Sequence, residues 1–162
     1  MKANHTLTFL FLVALFCTAC TGNRLANENE SIARSFIEAW NSHDASRLTS
    51  LFADEFVYLE VASGRKYIKE ETLASYFNLT IEGMPDSEFE LVSVVANENF
   101  ASVEWIWEGT NSVGWDFIGI PATGKHMKLP GVSVMEIENQ KIVRNNDYWD
   151  WSSFMKGIGV TP

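Results

Sequence analysis

Four segments in the second half of the chain, 88–96, 100–110, 127–137 and 141–149, alternate apolar and polar residues and are rich in aromatic and β-branched types. A period of two belongs to strands with one buried face, and the short connections Asn97-Glu98-Asn99 and Asn139-Gln140 predict antiparallel neighbours. In the longest segment Ala101, Val103, Trp105 and Trp107 share one face, while Ser102, Glu104, Ile106 and Glu108 share the other. The indoles therefore point inward, either as plain core or as the wall of a pocket.

The last of these strands carries an acid. Val143, Asn145, Asp147 and Trp149 fall on one face by strict alternation; Ile142, Arg144, Asn146, Tyr148 and Asp150 fall on the other. Asp147 has no local structural task. Set in an apolar cavity it would be desolvated and become an acid or base usable near neutral pH; turned to solvent it is an ordinary carboxylate. Asp150 does have a local task, because it precedes Trp151-Ser-Ser-Phe-Met-Lys-Gly157 and can cap the first turn of a helix that ends near Gly157.

Ahead of the strands the spacing is mostly helical. Ile32, Ala33, Phe36, Ile37 and Trp40 form one apolar stripe, with Trp40 in the core or on a pocket wall. Asp44 is placed to cap a second helix over 45–52, and His43 before it reads as a turn residue. A strand over 55–61 puts Phe56, Tyr58 and Glu60 on one side, the turn 62–65 follows, and a third helix over 70–79 turns Leu73, Tyr76 and Phe77 inward before 83–86 breaks it. The connection 109–124 is apolar for a loop, with Trp115, Phe117, Ile118, Ile120 and Pro121. It suits a cover over a pocket, or equally over a sheet edge or a dimer contact.

The N-terminus reads as an export signal. Lys2 is the positive start, Leu7–Phe16 the apolar run, and Cys17-Thr18-Ala19 the small residues before a cut, giving a signal peptide over 1–19. That run is too short to span a bilayer. Cys20 then resembles the lipidated first residue of a bacterial lipoprotein, although an ordinary signal-peptidase cut fits the same bond. Residues 20–29 read as lipidated cysteine and tether, and 30–162 as one domain, exported to the cell envelope and held to a membrane through its lipid. Both cysteines lie at this leader, so the mature domain has no internal disulfide. Without the leader's Lys2 the chain keeps 11 basic and 21 acidic residues, a net charge of -10, which argues against nucleic acid and anionic lipid headgroups as partners. No set of residues around His43 has metal-ligand spacing, so no metal is expected.

Three helices, a run of strands and a short terminal helix together resemble the nuclear transport factor two-like fold, an α+β architecture in which a cone of curved, antiparallel sheet wraps the N-terminal helices. Within it the chain is most similar to the SnoaL-like polyketide cyclase or ester cyclase group. The residues that carry the likeness are 39–44, Gly109-Thr110 with 117–125, Pro130-Gly131-Val132, and Lys141-Ile-Val143 leading to Asp147-Tyr-Trp-Asp150. The resemblance implies that Asp147 is an acid-base acting on an activated C–H, assisted by a pocket histidine, without cofactor or metal. Here Ser133 stands at that histidine's position, and Asn111 and Leu59 stand where relatives often carry histidine. A serine can hydrogen-bond a substrate oxygen but does not relay protons at neutral pH, and Ser133 lacks the Gly-x-Ser-x-Gly context of a nucleophile.

Three functional expectations follow. The first is a cofactor-independent cyclase, isomerase or hydrolase in which Asp147 is catalytic and Trp40, Tyr58, Trp105, Trp107, Trp115, Ser133, Asn145 and Trp149 bind a small hydrophobic substrate. The second is a non-catalytic module that holds a ligand in the same pocket. The third is an interaction domain that forms a homodimer through the outer sheet face.

Overall fold

The computed structural model describes residues 24–160. The leader and Cys20 lie outside these residues. Helix α1 covers 24–41, so the fold takes in 24–29, read from sequence as tether; Asn29 is buried and its Nδ2 donates to the Asn97 carbonyl at 2.8 Å. Further along α1 the expected stripe is buried at Ala33, Phe36, Ile37 and Trp40. The helix ends at a turn in which His43 adopts φ 53°, its Nε2 lying 2.9 Å from the Ser87 carbonyl. Asn41 fixes this end to the sheet, donating to the Phe89 carbonyl at 2.9 Å and accepting from its N–H at 2.7 Å.

Helix α2 (Ala45–Thr49) is capped by Asp44, which accepts from the Ser46 N–H at 2.9 Å. It stops earlier than expected because Phe52, read as its last apolar residue, opens strand β1 (Phe52–Glu60). A hairpin turns through Gly64, held at φ 72° where a side chain would be strained, into β2 (Arg65–Tyr67). Helix α3 (Glu70–Gly83) runs one turn past the expected end. Strands β3 (Glu88–Ala96) and β4 (Phe100–Thr110) follow; then β5 (Gly114–Trp115), a 3₁₀ turn (Asp116–Ile118) and β6 (Ile120–Pro121) form a small separate hairpin. Strands β7 (His126–Glu138) and β8 (Lys141–Trp149) lead to helix α4 (Trp151–Gly157), capped by Asp150 with 2.6 Å to the Ser153 N–H.

The main sheet is curved and six-stranded, in the order β2-β1-β8-β7-β4-β3. All pairs are antiparallel except β1 with β8, which run parallel. The β4–β7 ladder is unbroken from Phe100↔Glu136 to Thr110↔His126. In β7–β8 the register shifts between Glu136↔Arg144 and Ile137↔Ile142, leaving Val143 as an extra residue. This bulge reverses the face parity before it, so Ile142 is buried together with Asn145 and Asp147 instead of facing out as strict alternation predicts.

Trp40 of α1 carries the helices onto the sheet. Its ring lies 4.6 Å from Phe77 of α3 and 5.2 Å from Phe89 of β3. No helix among the described residues is long and apolar enough to cross a membrane.

Candidate active site

Between the concave sheet face and the helices lies a cavity of about 500 Å³. Its walls are aromatic, with Trp40, Trp105, Trp107 and Trp149 among them, and its polar groups include Glu60, Ser133 and Asp147. Helix α4 closes one side through Phe154, whose ring lies 5.5 Å from Trp107 and 5.7 Å from Trp115. The connection 109–124 is therefore a cavity cover: Trp115 Nε1 donates to the Leu79 carbonyl at 2.7 Å, which fastens β5 to α3, and Phe117, Ile118 and Ile120 line the same space.

The β8 bulge and the β4–β7 register bring the polar side chains together. Asp147, only 6% exposed, accepts at Oδ1 from Ser133 Oγ at 2.7 Å and from Asn145 Nδ2 at 2.6 Å, and at Oδ2 from Tyr58 Oη. Ser133 accepts in turn from Trp105 Nε1 at 2.9 Å. An indole nitrogen can only donate, so the serine's own proton must go to Asp147 and both of its roles are used. The indole reaches Ser133 because its cross-strand partner is Gly131, where a Cβ would stand 2.1 Å from the Trp105 ring.

Burial pushes the Asp147 carboxyl above its ordinary range, and the three donors pull the other way without overcoming it. The phenols of Tyr58 and Tyr76 are raised too, first by burial and then by the neighbouring carboxyls, so both remain protonated donors. Asn145 Oδ1 has no hydrogen-bond partner.

Of the residues expected to bind substrate, Trp40, Trp105, Trp107, Trp115, Ser133 and Trp149 line the cavity with Asp147. Tyr58 and Asn145 do not; both are fully buried behind Asp147 and hold its carboxylate. Glu60 is an addition. It is 5% exposed, lines the cavity, and is the register partner of Asp147 across the parallel β1–β8 pair. Its signal lay in the alternation that put it on the face of Phe56 and Tyr58. Asn111, where relatives often carry histidine, is instead a loop tie, its Nδ2 donating to the Pro121 carbonyl at 3.0 Å. Leu59 is on the opposite face of β1 from Tyr58 and Glu60. No three His, Cys, Asp or Glu side chains among the described residues group to hold a metal.

The profile of the SnoaL-like domain matches residues 33–145, more than two thirds of the chain. The chain belongs to the SnoaL-like domain family. Solved structures share the SnoaL-like fold at low identity. A candidate SnoaL-like polyketide cyclase from Jannaschia sp. CCS1 superposes with a TM-score of 0.75 at 14% identity, covering 85% of this chain and 96% of that one. AclR, a candidate hydroxylase from Streptomyces galilaeus, gives 0.72 at 18% identity over 85% and 88%. A protein of ketosteroid isomerase-like fold from Catenulispora acidiphila, bound to trimethylamine, gives 0.70 at 16% identity over 80% and 93%. No protein of curated function matches the sequence. At these identities the structural likeness is one of fold, and the chemistry of this SnoaL-like domain rests on its own side chains.

Proposed function

We propose that this SnoaL-like protein is a cofactor-independent cyclase or isomerase of a small hydrophobic molecule, with Asp147 as its acid-base. One observation carries the reading: a buried carboxyl, held by Tyr58, Ser133 and Asn145, opens into an aromatic cavity large enough for a bicyclic to tricyclic ligand. Candidate polyketide cyclases among the fold neighbours support this choice of chemistry.

In the reaction Asp147 takes a proton from a carbon next to a carbonyl, and the electron pair moves onto the carbonyl oxygen. Protonation at a different carbon gives an isomer; attack on a second carbonyl of the same molecule gives a ring. Fixed donors hold the carboxylate in place, and aromatic walls keep water from the carbanion. Ser133 positions the base and relays nothing.

The test is deuterium exchange at the activated carbon of an aromatic 1,3-diketone, benzoylacetone, in D₂O with the full-length chain. Asp147→Asn keeps the shape and should slow exchange by about 10²–10⁴-fold, the ordinary worth of a positioned base. Undiminished exchange removes Asp147 from the chemistry. Ser133 has already given its one proton to Asp147, which favours a second reading, a binding module without turnover; the diketone would then bind both forms alike and exchange in neither.

We infer further that the domain is held at the cell envelope by a lipid on Cys20, a reading from the leader sequence. Loss of labelled fatty acid in Cys20→Ser tests it. A homodimer is supported by the outer sheet face, where Val95 and Val134 flank Ser102 in one cross-strand row and Phe100 and Tyr148 are also exposed. Light scattering decides between dimer and monomer.

A further inference from the structure

Asp147 has an acidic neighbour that the chemistry above does not use. Glu60 ends β1 as the register partner of Asp147 in the parallel pair, and both line the cavity. Adjacent strands lie about 4.8 Å apart, so the two side chains project side by side from neighbouring strands. Two carboxylates so placed in a desolvated site do not both ionise readily. The donors decide which one does. Asp147 accepts three hydrogen bonds, whereas Glu60 accepts one firm bond, from Ser63 Oγ to Oε2 at 2.5 Å, and a distant one from Tyr76 Oη to Oε1 at 3.4 Å.

The groups around Glu60 do not reverse this. Tyr76 comes from α3, Arg65 and Tyr67 from β2, and Asp147 from β8; among the described residues no cation makes an ion pair with Glu60. Burial pushes the Glu60 carboxyl up, and the charge of Asp147 adds to the rise against the pull of Ser63, Arg65 and Tyr76.

We infer that Glu60 is the proton-donating partner of Asp147, a neutral carboxylic acid whose Oε1 hydrogen-bonds and protonates the oxygen on which negative charge develops. The assignment rests on the acid-base reading of Asp147. It also supplies what Ser133 does not: a second titratable group in the cavity. The step balances. The C–H bond breaks and its proton goes to Asp147; the electron pair moves to the carbonyl oxygen, which takes the Glu60 proton and becomes an enol. In isomerisation Asp147 then returns its proton to a new carbon while the enol O–H returns its proton to Glu60 as the carbonyl re-forms. In cyclisation the enol carbon attacks a second carbonyl while the enol O–H returns its proton to Glu60, and the new alkoxide takes the proton held by Asp147, so both acids end as they began.

The experiment compares wild type, Glu60→Gln, Glu60→Asp and Asp147→Asn, all full-length, in benzoylacetone binding and exchange. Glu60→Gln should lower the exchange rate about 10²-fold with affinity changed less than about threefold, and should remove the alkaline fall of the pH–rate profile. Glu60→Asp should restore part of the rate and that alkaline fall. In ligand-free ¹³C titrations Glu60 should titrate above the ordinary carboxylate range and come down in Asp147→Asn. A Glu60→Gln protein with the wild-type rate and profile, or a Glu60 titration indifferent to Asp147→Asn, overturns the assignment and leaves Asp147 as a lone base. Full exchange in Asp147→Asn, or a wild type that binds the diketone and exchanges nothing, defeats the acid-base reading itself and Glu60's role with it.

Discussion

Ser133 sits at the middle of a directional chain, Trp105 N–H to Ser133 Oγ and Ser133 O–H to Asp147, with distances of 2.9 and 2.7 Å. Removing its hydroxyl leaves a buried indole N–H without an acceptor and takes one donor from the carboxylate. Ser133→Ala should therefore cost about 1–3 kcal/mol of stability in urea unfolding, the ordinary cost of an orphaned buried donor. It should also move the Asp147 carboxyl further up, because a bond that favours its charged form is gone. A carboxyl that stays put in ¹³C titration would mean that Ser133 packs and does not tune. At this scale part of the site could be read from sequence: alternation put Trp105 and Trp107 on an inner face and grouped Asp147 with Asn145 and Trp149 on one face of the last strand, leaving open whether that face met a cavity or solvent. Glu60 shared its inner face with Tyr58, yet nothing local separates a strand glutamate that meets a cavity from one that meets water.

Gly131 shows what elements impose on one another. It faces Trp105 across the β4–β7 ladder, and its missing side chain is the space that the indole occupies. A methyl group 2.1 Å from the ring must push it aside, since the alternative is to shift a ladder held on both sides. Gly131→Ala should destabilise by about 1–3 kcal/mol, as overpacking does, and should break the Trp105–Ser133 bond. A red shift of tryptophan emission together with a lower unfolding midpoint would register both effects; an unchanged spectrum would show that the sheet yields instead. The elements that sequence did not reveal are of the same relational kind. β2 has three residues and is a strand only because it pairs with β1, and the parallel β1–β8 contact joins segments some ninety residues apart. The β8 bulge leaves no mark in the pattern around Ile142, so face parity there had to come from the partner strand.

Over the whole molecule the two groups of acids pull stability in opposite directions with pH. Asp147 and Glu60 are raised by burial, so their contribution is fully present below the unfolded carboxylate value of about 4 and is lost as pH rises through their folded values. Asp44, Asp86, Glu108 and Asp150 are lowered, first by hydrogen bonds with Ser46, Thr110, Lys128 and Ser153; their contribution is present above about 4 and lost as pH falls through their folded values. The second group lies at the surface, where such interactions are weak and screened by salt, so the buried pair should dominate. The Tm should therefore be higher near pH 5 than near pH 7.5, and should fall only below about pH 4. Relief of the net charge of -9 would push in the same direction on acidification, and two controls separate it. Added salt reduces the charge contribution and leaves the buried one, whereas the double variant Glu60→Gln, Asp147→Asn removes the buried contribution and leaves the other. A Tm difference that survives salt and disappears in the double variant places the acid sensitivity of the fold in its cavity; a difference that salt abolishes would mean that the cavity ionises at no cost to the fold.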